Sequence, residues 1–508
     1  MSGNTLLINA GIGETRVALI QGGILAELSV ERTRERSPVG DIAVGKVTRV
    51  LPGMQAAFID IGLDRAAFLH VEDVVPTGEL AKMADHEEAN GEEEGGGGLG
   101  IKRLSRKTPI RDVLTEGQSL VVQVSKGPIG TKGARVTSHV ALPGRYVVFM
   151  PTIDHVGVSK RIGNDKERRR LKEVIESIKP AQGGVIVRTM AQGLTKKNLK
   201  ADVGYLVKTW EETVRRRDST KKAPALLYQE LDITLRAARD LFTDEVEKII
   251  VDDADEHRRL CEFLERFLPE RVGDVELYDG LEPLFDEYGV EDEIARALAR
   301  KVPLPAGGYL ILDQAEALTA IDVNTGRFTG KGKDAEDTIL QTNLEAVKEI
   351  AYQLRFRNIG GLIVLDFIDM ERSSHRDKVY RAFLQELTQD KAKTTVVRIS
   401  ELGLIEMTRK RTRESLGRTL YEPCFYCDGT GHVQSRKTIC LEILRQMKRE
   451  KDGLPGYKIV VNAHPAVCDM LQREEKEGLE EASRRFQRRI VLNPRKDYHL
   501  EQFDLSGA

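Results

Sequence analysis

A dense run of strand and helix patterns between residues 307 and 370 constrains the fold more than any other feature. GYLILD and LTAIDVN predict two short apolar strands, and NLEAVKEIAYQLRFRN carries the apolar spacing of an amphipathic helix. Gly360 and Gly361 are expected to end that helix, and LIVLDFIDM predicts a buried strand after them. The pattern indicates a helix-covered sheet whose strands carry acidic residues at their ends.

Changes in pattern divide the rest of the chain into a multidomain mixture of α+β and α/β units. Residues 1–36 predict a β-meander too short to fold alone, and the mainly helical pattern of 235–297 could pack on it as one discontinuous domain. Residues 37–142 predict a barrel of short strands, interrupted at 77–106 by an acidic, Gly-rich stretch that we interpret as a solvated loop. The remaining segments are a small α/β domain at 143–234, the helix-covered sheet at 298–420, a cysteine-bearing loop at 421–434 and a small α/β unit at 435–508.

Composition excludes several classes of protein. The 508 residues contain no apolar run long enough for a membrane helix, and the first residues lack the pattern of a secretory signal, so we expect a cytoplasmic protein. Five cysteines are too few and too scattered for a disulfide scaffold. The net charge of -2 excludes a uniformly cationic coat, so any site for a polyanion must be local.

Asp322, Asn324 and Asp366 stand at or near the ends of two predicted strands, and Asp369 follows shortly after. A carboxylate in such a place is costly unless it is solvated or bound to a cation. Mg²⁺ takes one or two carboxylates and keeps positions for water and phosphate oxygens, so these residues are candidates for a magnesium site. The alternative is that Asp322 caps a turn in DVNTG and that Asp366 pairs with an arginine.

Phe58 and Phe68 lie on short strands of the predicted barrel, with Lys46, Lys132 and Arg135 nearby in sequence. Aromatic faces beside cations suit single-stranded nucleic acid, because stacking accepts any base while lysines neutralise phosphates. The alternative is that both phenylalanines belong to the core.

Cys424 and Cys427 form a CxxC followed by a Gly-rich turn. A structural zinc site uses about four ligands, so one pair is half a site. The same pair from a second subunit would complete it and join a homodimer. The alternatives are a site within one chain that uses His432 and Cys440, or no metal at all.

Arg188 and Thr189 follow an apolar strand, and Gly144 and Val148 precede it. An arginine and a threonine together can hold a terminal phosphate through a guanidinium fork and a hydroxyl. Alone, the same residues would be an ordinary strand end.

Along the chain the four features follow one order, from the phenylalanines through Arg188 and the aspartates to the cysteines, and with their connecting phrases they resemble the RNase E and RNase G family of bacterial endoribonucleases. AIDVNTGRFTG, NLEAVKEIAYQLRFRNIGGLIVLDFIDM and the CxxCxGxG loop match family phrases, and the resemblance covers nearly the whole chain. It implies an RNase H-like subdomain at 1–36 and 235–297, an S1-type OB RNA-binding domain at 37–142, a 5′-sensor at 143–234, a DNase-I-like catalytic domain at 298–420, a zinc-link at 421–434 and a small domain at 435–508.

The resemblance also implies a role for each candidate residue. Asp322 and Asp366 become the ligands of a catalytic Mg²⁺, and Asn324 orients the site. Cys424 and Cys427 become the ligands of a structural Zn²⁺ shared between subunits. The pocket for an RNA 5′-monophosphate is formed by Gly144, Val148, Arg188 and Thr189, and the other RNA-binding residues are Phe58, Phe68, Lys132 and Lys393.

The activity that the resemblance implies is a single-strand-specific endoribonuclease of ribosomal RNA processing and messenger RNA decay. It would hydrolyse phosphodiesters with Mg²⁺-activated water, leave 5′-phosphate and 3′-hydroxyl ends, and be stimulated by a 5′-monophosphate. Its partners would be ribosomal RNA precursors, messenger RNA and a second copy of the chain, with higher homo-oligomers possible. The rival is a non-catalytic RNA-binding scaffold, against which the intact carboxylates argue. A zinc-dependent chaperone would repeat the CxxC motif, which occurs once here.

The sequence departs from the family pattern at several points. Pro423 precedes Cys424, whereas the family usually has proline between the two cysteines, and both thiols remain. Lys393 stands where arginine is common, which keeps the charge and loses the guanidinium fork. The stretch at 77–106 is unusually long. Because the chain stops soon after the small domain, we expect the RNase G branch to be the closer match.

Overall fold

The computed structural model describes residues 3–76, 104–106, 108–128, 132–326, 335–411 and 413–508. These residues form two compact units, one ending at Leu416 and the other beginning at Gly417. None of the described helices is both long and apolar enough to cross a membrane.

The strands and helices are numbered along the chain. The strands are β1 (Asn4–Ala10), β2 (Glu14–Gln21), β3 (Ile24–Arg32), β4 (Ile42–Leu51), β5 (Ala56–Asp60), β6 (Ala67–His70), β7 (Ser119–Lys126), β8 (Arg135–Thr137), β9 (Leu142–Pro143), β10 (Val147–Met150), β11 (Val156–Val158), β12 (Gly184–Val187), β13 (Ala225–Tyr228), β14 (Val246–Val251), β15 (Val275–Leu277), β16 (Lys301–Pro303), β17 (Tyr309–Gln314), β18 (Leu318–Asn324), β19 (Gly361–Asp366), β20 (Thr394–Val396), β21 (Leu404–Arg409), β22 (Lys458–Ala463), β23 (Arg489–Pro494) and β24 (Phe503–Gly507). The helices are α1 (Ile110–Val113), α2 (Asp165–Glu176), α3 (Lys196–Ser219), α4 (Ile233–Asp240), α5 (Ala254–Phe267), α6 (Leu284–Glu287), α7 (Val290–Leu298), α8 (Ala335–Phe356), α9 (Ser373–Leu387), α10 (Leu416–Leu420), α11 (Arg436–Glu450), α12 (Pro465–Arg473) and α13 (Lys476–Phe486). Short 3-10 turns span Pro52–Met54, Val71–Asp73, Thr189–Ala191 and Pro269–Asp274.

The first sheet joins the start of the chain to strands far along it. The meander β1–β3 is present as predicted, and β14 adds to β1 in parallel, so that the strand order is β15-β14-β1-β2-β3. Residues 235–297 are mainly helical, as expected, and the two short strands among them, β14 and β15, complete this sheet. The run VEKIIV is short and apolar, a pattern that a buried strand and a buried helix share.

The second sheet is a closed barrel. Strands β4, β5, β6, β8 and β7 pair in that order, and an antiparallel β4–β7 pairing closes the ring. Val47, Ile59, Leu69 and Val136 fill its interior. The predicted barrel is confirmed, and the structure shows that it is closed, five-stranded and OB-like. β13 adds to β4 from outside the ring, and the predicted loop at 77–106 lies outside the described residues except for its last three positions.

The third sheet has the order β11-β12-β10-β9 and packs against α2 and α3. The segment KERRRLKEVIESI has the apolar spacing that predicts an amphipathic helix, and helix α2 forms there with Leu171 and Ile175 buried. The side chain of Asn164 caps this helix by accepting hydrogen bonds from the backbone N–H groups of Lys166 and Glu167.

The fourth sheet has the order β16-β17-β18-β19-β21-β20, with β18 and β19 parallel. Its core side is covered by α8 and α9, which supply Val347, Ile350 and Phe383 to the buried cluster. Helix α8 begins before the predicted start. It ends where Asn358 takes a left-handed conformation, with φ 49°, so Asn358 and not the following glycine pair terminates it.

The second unit is a three-stranded sheet of order β23-β22-β24 with α11, α12 and α13. Cys440 and Cys468 are buried in its core. The charged pattern near 470–489 indicates a single helix, whereas the structure has two, α12 and α13.

Candidate active site

Two carboxylates lie side by side on the open face of the fourth sheet. The parallel register of β18 and β19 pairs Asp322 with Asp366. The preceding residues, Ile321 and Leu365, are buried against the helices, so the alternation of side chains along a strand turns both aspartates to the opposite, exposed face. The structure therefore brings these two predicted site residues together.

Asn324 lies on the same face, two residues beyond Asp322. Its Nδ2 donates a hydrogen bond of 2.8 Å to Oδ2 of Asp322, which orients that carboxylate. Burial, followed by the charges of Asp322 and Asp369, raises the pKa of Asp366 above its usual value. The negative charges are therefore close enough to repel each other.

The donor set fits a hard divalent cation. Among the residues that the structure describes, no cationic side chain forms an ion pair with Asp322 or Asp366, so the arginine pairing considered for Asp366 is not found there. The described residues also contain no group of three or more His, Cys, Asp or Glu side chains arranged for a metal. A cation held by Asp322 and Asp366 would need oxygens from water or substrate to complete its shell, as Mg²⁺ commonly does.

Asn343 on α8 is a residue that the sequence reasoning missed. Its side chain is fully buried, and its amide makes two hydrogen bonds with one backbone unit. Nδ2 donates to the carbonyl of Ile368 at 2.9 Å, and Oδ1 accepts from the N–H of Ile368 at 3.1 Å. This clamp fixes the segment between Asp366 and Asp369. The sequence signal that could have found it is an asparagine on the same face of α8 as the apolar Val347 and Ile350.

Phe58 and Phe68 lie opposite each other on β5 and β6, on the outside of the barrel. Both rings are half-buried and meet edge to face, with centroids 6.3 Å apart, and neither belongs to the barrel core. Lys46 and Lys132 are exposed, whereas Arg135 is paired with Asp73 at 2.7 Å. The barrel therefore presents an aromatic pair with nearby lysines on its outer surface.

Lys393 lies away from the carboxylates. It directly precedes β20. Thr394 of β20 pairs with Arg409 of β21, and Arg409 pairs with Gly361 at the start of β19. Asp366 is at the other end of β19, five residues on, which is roughly 16 Å at the usual rise per residue. The structure does not bring Lys393 to the aspartate pair.

Arg188 is held by protein groups on one side of its guanidinium. Nη1 donates to the carbonyl of Gly144 at 2.5 Å and to Oδ1 of Asp240 at 2.8 Å. Thr189 follows as an exposed residue, and Val148 lies on β10, which pairs with the strand before Arg188. The structure thus brings these four residues to one place and adds Asp240, which sequence reasoning missed.

The backbone beside Gly144 is shaped by a buried carboxylate. Asp202 on α3 accepts hydrogen bonds from the N–H groups of Arg145, Tyr146 and Val147 at 3.3, 2.7 and 3.0 Å. A Cβ on Gly144 would lie 2.6 Å from the oxygens of Asp202, so only glycine fits without displacement. Burial raises the pKa of Asp202, and the three backbone hydrogen bonds oppose that effect.

The cysteine loop of the second unit presents two thiols. The N–H of Gly431 donates to Sγ of Cys427 at 3.2 Å, and this bond lowers the pKa of Cys427. Cys440, considered as a ligand within the same chain, is fully buried in the core, where burial raises its pKa to about 11. A neutral core thiol is a poor third ligand, because zinc binds the thiolate.

Comparison with known proteins identifies the chain. Residues 141–412 match the model of the Ribonuclease E/G family, and residues 423–507 match that of the RNase E/G thioredoxin-like domain. The chain is similar to Ribonuclease G of Escherichia coli strain K12, with 44% identity over 503 residues, covering 98% of this chain and 99% of that protein. Ribonuclease G of Haemophilus influenzae is 42% identical over 501 residues, covering 98% of each chain. Ribonuclease E of the same organism is 36% identical over 505 residues, covering 98% of this chain and 51% of that protein. The chain therefore belongs to the ribonuclease E/G family of endoribonucleases.

Proposed function

We propose that the chain is a single-strand-specific endoribonuclease of ribosomal RNA processing and messenger RNA decay. It hydrolyses phosphodiesters so that the oxygen of water joins the phosphorus, the 3′ oxygen leaves with a proton, and the products carry 5′-phosphate and 3′-hydroxyl ends. The observation that carries this proposal is the pairing of Asp322 with Asp366 on an open sheet face, with Asn324 bonded to Asp322.

The aspartates would hold Mg²⁺ at this face. When bound, Mg²⁺ activates water and offsets the charge of the phosphate that is attacked. The residues of the chain supply the positioning. Asn324 keeps Asp322 in one orientation, and the Asn343 clamp keeps the segment after Asp366 from shifting. Pre-positioned groups of this kind act in the transition state without a cost of reorganisation.

The barrel would hold the RNA strand next to the site. Phe58 and Phe68 offer ring surfaces for bases, and Lys132 neutralises a phosphate, a combination that binds single strands with little sequence preference. Lys393 would contact the RNA away from the carboxylates.

The 5′ end of the RNA would bind at Arg188. Asp240 and the carbonyl of Gly144 fix one nitrogen of its guanidinium, which leaves the rest of the fork to meet a terminal phosphate together with the Thr189 hydroxyl. A 5′-monophosphate would then stimulate cleavage, because its binding energy holds the strand.

The domain roles follow the same proposal. The first sheet and its helices would be an RNase H-like subdomain, the barrel an S1-type domain, the third sheet a 5′-sensor and the fourth sheet a DNase-I-like catalytic domain. In the second unit, Cys424 and Cys427 would share one Zn²⁺ with the same pair of another copy, forming a homodimer. The buried position of Cys440 supports sharing over closure within one chain.

Cleavage of a 5′-monophosphorylated, AU-rich single strand tests the central proposal. We expect cutting with Mg²⁺, none in EDTA and recovery when Mg²⁺ is restored, with 3′-hydroxyl and 5′-phosphate products identified by end-specific ligation. Tight RNA binding without cleavage under all conditions would instead support the scaffold.

Metal content tests the zinc proposal. A shared site predicts about half a zinc ion per chain, because four thiolates from two copies complete one tetrahedron. Cys424→Ser should dissociate the dimer in sedimentation, whereas Cys468→Ser, which changes a core thiol, should leave the assembly intact. A whole zinc per chain with an unchanged dimer in the Cys424 variant would refute sharing.

A further inference from the structure

An open groove of about 250 Å³ lies between the barrel and the carboxyl end of α3. Its floor is apolar and includes Val44 and Val121. Its rim is polar and cationic, with Ser119, Arg217, Lys221 and Lys222. None of the candidate site residues lines it.

The cationic side chains at and near the rim differ in whether another group of the protein already pairs with them. The neighbouring Arg216 is tied inward, because its Nη1 donates to the carbonyl of Leu227 at 3.1 Å. Arg217 pairs with Asp218 at 2.8 Å. Lys221 and Lys222 are exposed, and within the described part of the chain neither has a carboxylate partner. The groove therefore carries at least two uncompensated positive charges.

The groove and the aromatic pair lie on opposite sides of strand β4. Exposed Lys46 on β4 lies opposite Ser119 of the groove on one side and opposite Asp60 of β5 on the other. Further along the same strand, Arg49 lies opposite Phe58. Phe58 and Ser119 are two strand spacings apart, about 10 Å, and are offset by three residues along β4, about another 10 Å, so about 14 Å separates them. Cationic side chains bridge that interval.

We infer that this groove binds the phosphodiester backbone of single-stranded RNA and extends the RNA track beyond Phe58 and Phe68. This inference rests on the proposed function of the barrel. The cationic rim suits phosphates, and the floor accepts the apolar faces of bases or riboses. Since none of the described residues that line the groove is aromatic, stacking contributes little, and binding there depends on charge and not on base identity.

The double variant Lys221→Ala/Lys222→Ala tests the inference. The measurement is fluorescence anisotropy with 2′-O-methyl oligouridines of increasing length, titrated over a range of KCl concentrations. Wild-type affinity should rise with length and the variant should lose that rise. For long oligomers, the slope of log affinity against log salt should become shallower by about 1.4, since each phosphate contact to a single strand contributes about 0.7.

Lys448→Ala/Lys496→Ala is the matched control, because it removes two exposed lysines from the second unit that form no ion pair with a described carboxylate. It should keep both the length dependence and the salt slope. An equal loss of affinity at every length in the groove variant, or an unchanged slope, would overturn the inference. Polyglutamate that binds as tightly as the long RNA, and loses affinity equally in the variant, would show that the groove takes any acidic chain and would overturn the RNA assignment. The assay needs no cleavage, so a catalytically inert chain would contradict the proposed function without deciding this inference.

Discussion

The first unit contains two clusters of charged side chains that are built in opposite ways. On the fourth sheet, Asp322 and Asp366 have the same charge, are exposed, and have no cationic partner among the described residues. Around Arg188 the charges alternate. Arg188 contacts Asp240 at 2.8 Å, Asp240 contacts Arg239 at 2.9 Å, and Arg239 contacts Glu230 at 2.8 Å. Glu230 and Arg239 are buried, with side chains 5% and 9% exposed.

The two clusters should respond differently to substitution. Like charges at adjacent positions cost the fold free energy, so a chain retains them for a ligand and not for stability. Alternating charges satisfy each other, and removing one member of a buried pair leaves an uncompensated charge. Substitution of an aspartate should therefore lower activity and keep or raise stability. Substitution in the arginine network should affect activity and stability in the same direction.

The largest effect is expected for Asp366→Asn. Cleavage should fall by about 10³-fold or more, because a ligand charge is lost at the centre of the reaction. Thermal stability should stay equal or rise, since the repulsion with Asp322 is removed. The raised pKa means that the ionised form of Asp366 is less stable in the folded chain than in the unfolded one. The stability difference between variant and wild type should therefore shrink as pH falls through that raised pKa.

Single-turnover cleavage in saturating Mg²⁺ and calorimetric unfolding across acidic pH measure these effects. Asp313→Asn is the matched control, because Asp313 is an exposed aspartate of the same sheet that pairs with Arg300. Its pKa is lowered by that partner, so its variant should lose a little stability and keep cleavage. Near wild-type cleavage by the Asp366 variant would remove the basis of the proposed site.

Asn343→Ala is expected to lower cleavage by about 10- to 100-fold and to raise the Mg²⁺ concentration that is needed. Loss of the amide leaves the N–H and C=O of Ile368 without partners and frees the segment after Asp366. The variant should also lose about 1–3 kcal/mol of stability, the usual cost of an unsatisfied buried group.

Gln353→Ala separates positioning from stability. Gln353 is another fully buried amide of α8, and it bonds Glu349 and Arg357, well away from Ile368. Its variant should be destabilised to a similar degree with an unchanged Mg²⁺ requirement. If both variants shift that requirement equally, Asn343 is structural only.

The sequence predicted the aspartate pair better than the arginine network. The pair depends on local sequence patterns, whereas the network depends on contacts between segments that are distant in sequence. Apolar strands with acidic ends are local patterns, and parallel neighbours align such ends. The parallel pairing of β1 with β14, the addition of β13 to the barrel and the contact of Arg188 with Asp240 depend on segments distant in sequence. No local periodicity encodes them. Asn343 was missed for a different reason. A single polar residue on the apolar face of an amphipathic helix is often tolerated without a role, and only its partner, the backbone of Ile368, shows that this one has a role.

The smallest effect is expected for Arg188→Ala, which should mainly reduce the preference for 5′-monophosphate over 5′-hydroxyl RNA. The proposed contact is to a chain end and not to the scissile bond, so cleavage of circular RNA should stay near wild type. Stability should fall by about 1 kcal/mol or less, because Arg188 is partly exposed and Asp240 keeps Arg239 as a partner.

Burial alone would raise the pKa of Asp240, but Arg239 and Arg188 lower it below its usual value. Asp240→Asn keeps the charge of Arg188 and removes its orientation, so a partial loss of the same preference would show that the network positions the guanidinium for phosphate. Equal losses on linear and circular RNA in both variants would mean that the network only joins the third sheet to α4, and the contrast with the aspartate pair would then be one between a site and a structural element.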